Sequence, residues 1–352
     1  MTAFAPVAVP RPAIVPAQDW ESWNDPAEAG FAPVAVAALE EALHQLPTTS
    51  LMVVRGGRVA YSYGDIAEPS YLASARKSVI SMLYGPHVAA GTIDLGATLL
   101  QLGIDDVTGL LPIEKQATIG DILCSCSGVY YPAGSPGGDM QGVPPRGSQR
   151  PGTYFHYNNW DFNVAGAIFT QLTGRSVFDA LEDQLATPLR FQDFDRQRQR
   201  MLGYPDQSRF LAYHMFLSAR DMARIGLLAL RGGNWAGREL VPAEWMREST
   251  RTHVWPSEMH GRFRDGGSGY GYYWWTPQRP GQVEWNGAFL ASGHFGQFIL
   301  CLPALDTVIV HRRAVSDEKA MARNAGLDMS EVPSVSSTQL LKLAELLLRP
   351  SV

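Results

Sequence analysis

Apolar and polar positions recur along this chain with two different periods, and the places where the period changes mark its elements. Over residues 33–46 (PVAVAALEEALHQL) apolar side chains return every three or four positions, the spacing of a helix that buries one face. Residues 51–55 and 58–63 read as two short strands. The Gly56-Gly57 pair between them tolerates positive φ at both corners of a tight hairpin. From about residue 75 to 230 the spacing is helical, with no long alternating stretch. One Pro- and Gly-dense segment of 21 residues, 132–152, breaks it; such a segment has little capacity for regular structure, and long loops of this kind often carry function. After Gly266 the pattern is that of strands. Residues 270–276, 283–290, 293–302 and 307–313 predict an antiparallel meander whose last turn falls at 303–306, and a Leu-rich helix at 338–348 closes the chain.

Helix, hairpin, helical block, strands, helix is the order of an α+β fold. The simplest assembly is one antiparallel sheet covered by both terminal helices, with a helical subdomain inserted between its early and late strands. The expected division is an extended Pro- and Ala-rich arm over 1–31, a sheet subdomain from 32–73 and 265–352, and a mainly helical subdomain over 74–264, with the active site at their junction.

Composition narrows the function classes. The 352 residues are 45% hydrophobic and 18% charged, enough apolar material for a sizeable core, and no internal repeat is present. Acidic residues outnumber basic ones, 34 to 29, for a net charge of −5, which argues against nucleic acid and anionic membranes as partners. The N-terminal apolar residues are interrupted by Pro6, Pro10, Pro12 and Pro16, and no apolar run approaches the length of a membrane span, so neither leader nor anchor is expected. Three cysteines, Cys124, Cys126 and Cys301, are too few for a disulfide scaffold and predict free thiols in a reducing, cytoplasmic setting. The eight histidines are scattered; His253 and His260 lack ligand spacing, and no metal is expected. Nucleophile-elbow, Walker, zincin and dinucleotide-binding motifs are all missing, so no organic cofactor is expected either.

Three short segments carry candidate chemistry. In Ser74-Ala75-Arg76-Lys77, Ser74 and Lys77 are three apart and share a helix face. A serine hydroxyl needs a base before it attacks, and a lysine buried among apolar groups can be one. Tyr157-Asn158-Asn159, after the Pro/Gly segment and before an apolar helix, adds a phenol able to share a proton with the lysine. Asn159 adds an amide able to bind a carbonyl or orient the lysine. In Ser292-Gly293-His294-Phe295-Gly296-Gln297, small residues let a substrate approach the backbone, and the Gln297 N–H can donate to an oxyanion.

The order and spacing of these segments resemble the penicillin-recognising serine hydrolases, the superfamily of class C β-lactamases, DD-peptidases, esterases and 6-aminohexanoate-dimer hydrolases. The resemblance extends over about residues 50–315. It includes Ser127-Gly128 after a helix at 119–123, Pro188-Leu189, the helix opening at 220–224 and an aromatic strand at 269–275. It implies a β-lactamase/transpeptidase-like fold. It also implies Ser74 as the acylated nucleophile, Lys77 as its partner, and Tyr157 as general base and proton donor to the leaving group. Asn159 then takes the third position of Tyr-x-Asn, and the backbone N–H groups of Ser74 and Gln297 form the oxyanion hole. Dedicated β-lactamases carry Lys-Thr/Ser-Gly where this chain has His294-Phe295-Gly296, and no lysine stands between Lys115 and Lys319. The expected substrate is therefore a small carboxylic ester or amide rather than a β-lactam. His294, Phe295, Gly296, Trp160 and Tyr130 are candidate substrate contacts, with Phe295 alternatively packing in the sheet. Arg146 and Arg150 are candidates for an anionic substrate or solvent-exposed arginines. Rival readings are an acyltransferase or peptide-bond-forming enzyme using the same acyl-enzyme, a β-lactamase or DD-peptidase, and a non-catalytic ligand sensor.

Overall fold

The computed structural model describes residues 14–135, 142–264, 266–316 and 332–349; residues 1–13 of the expected arm and 136–141 of the Pro/Gly segment lie outside them. Seven strands form one antiparallel sheet: β1 (Ser50–Arg55), β2 (Arg58–Gly64), β3 (Ser268–Tyr270), β4 (Trp275–Pro277), β5 (Phe289–Gly293), β6 (Gln297–Leu302) and β7 (Thr307–Arg312). Their spatial order is β2-β1-β7-β6-β5-β4-β3. The early hairpin is thus zipped to the last strand, from Ser50↔Arg312 to Arg55↔Thr307. Everything between the hairpin and β3 is an insertion into the sheet, as the order of patterns predicts.

Period-2 alternation assigns the two faces. Leu51, Val53, Leu300 and Ile309 point to the side covered by α1 (Pro33–His44) and α7 (Ser337–Leu347). In α1 the buried positions Ala35, Leu39 and Leu43 recur every four residues, one stripe of the helix. Met52, Val54, Ile299, Val308 and Val310 point to the other face, under α5 (Ala219–Leu230) and the helical block. Gly226 of α5 lets that helix lie flat on the strands, since a Cβ there would stand 2.5 Å from Val308 and 2.7 Å from Ile299. The block also contains α2 (Arg76–Ala89), α3 (Ile119–Leu123), α4 (Asn159–Thr173) and α6 (Ala243–Thr250). Among the described residues no helix is long and apolar enough to cross a membrane, and Cys124, Cys126 and Cys301 are free thiols.

Two predicted strands are shorter than their apolar runs. The aromatic stretch 270–276 is two strands around a tight turn. Gly271 passes so near the end of α6 that a Cβ would stand 2.4 Å from the Ser249 carbonyl oxygen, and Tyr273 adopts φ +64°. Residues 283–285 form a 3-10 turn, so β5 begins only at Phe289. Trp285 is buried there without strand pairing, while Val283 is exposed.

Candidate active site

The helical side of the site is built by two helix starts. Ser74 sits in the single 3-10 turn Ala73–Ala75 that runs into α2, half-buried, and Lys77 follows on the first turn of α2 with 2% of its surface exposed. The Asn158 side chain accepts from the Trp160 N–H and caps α4. That cap leaves Tyr157 in the extended approach and makes Asn159 the first helical residue. The two starts face each other: Lys77 Nζ donates to Tyr157 Oη at 2.8 Å and to Asn159 Oδ1 at 2.9 Å. The same ammonium lies 3.5 Å from the centre of the Phe162 ring and 4.3 Å from that of Tyr157, so ring quadrupoles supply part of the solvation lost on burial.

A polar layer backs this pair. Ser127 Oγ donates to Asp161 Oδ1 at 2.6 Å and accepts from the Val129 N–H, while Asn158 Nδ2 donates to the Val129 carbonyl. Ser127-Gly128 is thereby tied to the start of α4. Asp161 is wholly buried, and burial pushes its carboxyl well above the usual carboxylate range against the opposing pull of the Ser127 hydrogen bond and the Lys77 charge.

The sheet side is built by close approach. A Cβ on Gly293 would stand 2.4 Å from the Leu72 carbonyl oxygen and 2.9 Å from the Ala75 nitrogen, so glycine alone lets β5 pass against the Ser74 turn. Gly293 pairs with Gln297 across the β5–β6 turn, which carries the Gln297 backbone to the same place. Two non-glycine residues here adopt left-handed backbone, Ala73 (φ +48°) beside Ser74 and Phe295 (φ +67°) in the β5–β6 turn. Each such residue costs about 1–3 kcal/mol and persists only where its surroundings over-determine it. The surroundings are shared: Ala73 and Phe295 pack in one apolar cluster with Tyr71, Phe216 and Val315.

Buried polar groups lock the rest. Arg312 Nε donates to Gln297 Oε1 at 2.6 Å, and its other nitrogens reach the Leu217 carbonyl and Ser70 Oγ, so one guanidinium joins β6, β7 and the strand that leads to Ser74. His311 Nδ1 donates to the Gly296 carbonyl at 2.8 Å, and its Nε2 accepts from Thr48 Oγ1 at 2.9 Å. Burial holds this ring neutral, its pKa lowered to about 4.

Beside the Ser74 turn a narrow cleft is lined by Tyr71, Ala73, Ser74, Arg76, Ser135, Asn159, Ala212 and His214, with no residue of β5 or β6 among them. The remaining sequence candidates lie elsewhere. Trp160 is wholly buried and donates its indole N–H to Asp106 Oδ2 at 2.7 Å, an acceptor it shares with Ser208, so it is a core residue rather than a pocket wall. Phe295 is 1% exposed because the cluster under its turn takes the ring; it packs, the alternative the sequence left open. His294 is exposed at the turn, edge-on to Phe295, and Gly296 serves that turn at φ +111°. Tyr130 is buried edge-on to Tyr154 and His156, outside the cleft lining. Arg146 is paired with the buried Glu114 at 2.5 Å, and Arg150 is exposed. Sequence reading gave no role to Arg76, Asp161 or Arg312. The pair Arg312-Arg313 closing an otherwise apolar strand was the available sign for Arg312.

This sheet, with an inserted helical block meeting it at a Ser-x-x-Lys turn, is the architecture of the penicillin-recognising serine hydrolases. The Beta-lactamase family profile matches residues 36–311, and the chain belongs to that family. Among solved structures, the chain is similar to the "Putative 6-aminohexanoate-dimer hydrolase from Bacillus anthracis", with TM-score 0.65 and 19% identity over 93% of this chain and 85% of that one. It is similar to "EstCE1, a hydrolase with promiscuous acyltransferase activity", with TM-score 0.61 and 15% identity over 92% and 98%. It is also similar to a penicillin binding protein from Bacillus halodurans, with TM-score 0.56 and 15% identity over 82% and 98%. No curated protein sequence matches the chain.

Proposed function

We propose that the protein hydrolyses carboxylic esters or amides of small acids through an acyl-enzyme on Ser74. The observation that carries this reading is the bridge from Lys77 Nζ to Tyr157 Oη and Asn159 Oδ1, one helical turn from Ser74 on the floor of a cleft. Tyr157, as phenolate beside the ammonium, takes the Ser74 proton while Oγ bonds to the substrate carbonyl carbon. The oxyanion that forms is held by the Ser74 and Gln297 N–H groups. Tyr157 returns the proton to the leaving oxygen or nitrogen as its bond to carbon breaks. Water, activated by the same phenolate, then cleaves the acyl-enzyme.

An ester or amide is favoured over a β-lactam because the β5–β6 turn offers neither an ammonium nor a hydroxyl to a drug carboxylate: Phe295 is buried at that point and His294 stands beside it. Transfer of the acyl group to an alcohol or amine uses the same intermediate, and the acyltransferase activity named for one structural neighbour makes it the second reading. The test is turnover of p-nitrophenyl acetate with mass-spectrometric location of a fluorophosphonate adduct. Turnover with the adduct on the Ser74 peptide supports the reading, and Ser74→Ala retaining either signal overturns it. Product analysis with added alcohol separates hydrolysis from transfer.

A further inference from the structure

Arg76 stands two residues after Ser74 and lines the same cleft, yet only 4% of its surface is exposed. A guanidinium stays charged and offers five N–H donors in a planar fork. Here one nitrogen donates to the Ala73 carbonyl at 2.7 Å, and the cation lies 5.2 Å from the Tyr213 ring centre. Its Nε is buried with no hydrogen-bond partner, and no carboxylate of the described residues pairs with it.

Two other arginines are buried as deeply, and they differ. Arg312 uses all three of its nitrogens on Gln297, Leu217 and Ser70. Arg224 shares the unpartnered Nε, but its two terminal nitrogens donate to three carbonyls, those of Ala17, Gln18 and Leu189. Arg76 is the under-used cation of the three and the one that borders the Ser74 cleft. A buried charge with unfilled donors is unfavourable until an anion completes it, and a carboxylate matches the guanidinium fork in plane and spacing.

The side of the cleft follows from the lining. Arg76 shares its wall with Tyr71, Ser135, Ala212 and His214, and Tyr157 is not part of that wall. Tyr157 returns the proton to the leaving atom in the mechanism above, so the leaving group lies toward Tyr157 and the acyl chain toward Arg76. The Lys77 ammonium is turned to Tyr157 and Asn159 and leaves this anion site to Arg76.

We propose that Arg76 is the anion-recognition residue of the Ser74 cleft and that the substrate is an ester or amide whose acyl part carries a carboxylate. The inference rests on the serine-hydrolase reading. It moves recognition of an anion from the β5–β6 turn, where this chain has no lysine, to the turn that bears the nucleophile.

The test compares p-nitrophenyl hemiglutarate with its methyl-capped, uncharged counterpart, spontaneous hydrolysis subtracted. The expected ratio of kcat/KM is about tenfold or more in favour of the anion. It collapses toward one in Arg76→Gln and is partly restored in Arg76→Lys. A purely structural role would lower both esters together and leave the ratio unmoved. Glutarate added to p-nitrophenyl acetate assays is expected to inhibit the unsubstituted protein competitively, and this measurement stands even if Arg76→Gln does not fold. A ratio near one with no competition by glutarate, while Ser74 turns over both esters, overturns the inference and leaves the hydrolase reading intact. No turnover of either ester and no fluorophosphonate adduct on Ser74 overturns the hydrolase reading and this inference with it.

Discussion

The helical and sheet sides of the candidate active site are built by opposite means. On the helical side, side chains meet directly: Lys77 touches Tyr157 and Asn159, and Ser127 touches Asp161. On the sheet side Phe295, Gln297 and His311 are taken up by the interior, and the proposed oxyanion donor is backbone. Phe295 faces an apolar cluster, Gln297 faces Arg312, and His311 faces the carbonyl of Gly296. One side therefore brings polar side chains together inside a packed setting, with Tyr157 against Phe162 and Trp275. The other holds its turn through packing and buried hydrogen bonds, so, on the proposed mechanism, rate and stability should separate between the two sides.

Ser74→Ala is the sharpest way to break that contrast. Esterase activity should fall by on the order of 10³-fold or more with the thermal midpoint nearly unchanged, checked by p-nitrophenyl acetate kinetics beside a melting curve. Tyr157→Phe should cost about 10²–10⁴ in kcat, again with the fold kept; a loss below tenfold would remove Tyr157 from the proton path. On the sheet side, Arg312→Met leaves Gln297 Oε1, Ser70 and the Leu217 carbonyl buried without their donor. Denaturant unfolding should show about 2–4 kcal/mol less stability, together with a fall in kcat that exceeds any rise in KM. Phe295→Ala empties the cluster that holds both strained turns. Loss of about 3–4 kcal/mol is expected, and unchanged stability would show that the ring does not brace the turn.

The smallest effect belongs to pH. The His311 pKa is lowered to about 4 in the folded chain, against an ordinary value near 6.5. Between these values the unfolded chain binds more protons than the folded one, so His311 contributes stability above about pH 6.5 that is lost as pH falls toward 4. His311→Gln, which can still bridge Thr48 and Gly296, should flatten the stability curve in that window; an unchanged acid limb would mean that other groups set it.

The helical side was legible in the chain and the sheet side was mostly not, for one reason. Ser74, Lys77, Tyr157 and Asn159 are residue types whose side chains suit the proposed chemistry, and a helix brings i and i+3 together whatever surrounds it. Trp160 and Tyr130 read as pocket residues because they neighbour those motifs in sequence. The start of α4 instead turns Trp160 inward to Asp106, where its N–H is satisfied. Phe295 occupies the position of a substrate contact in sequence, but its left-handed backbone directs the ring into the cluster beneath the turn.

By itself the sequence determined the α+β order, the insertion of a helical block between early and late strands, and the Ser-x-x-Lys and Tyr-x-Asn segments, because periodicity and residue chemistry are local. The tertiary structure alone decided that Lys77 reaches a phenol 80 residues away, that Arg312 serves Gln297, and that Arg76 is buried beside Ser74 with donors unfilled. Each of these depends on which segments pack against one another across the sheet–helix junction. Burial there sets the cost of every unpaired charge and so the meaning of each polar residue.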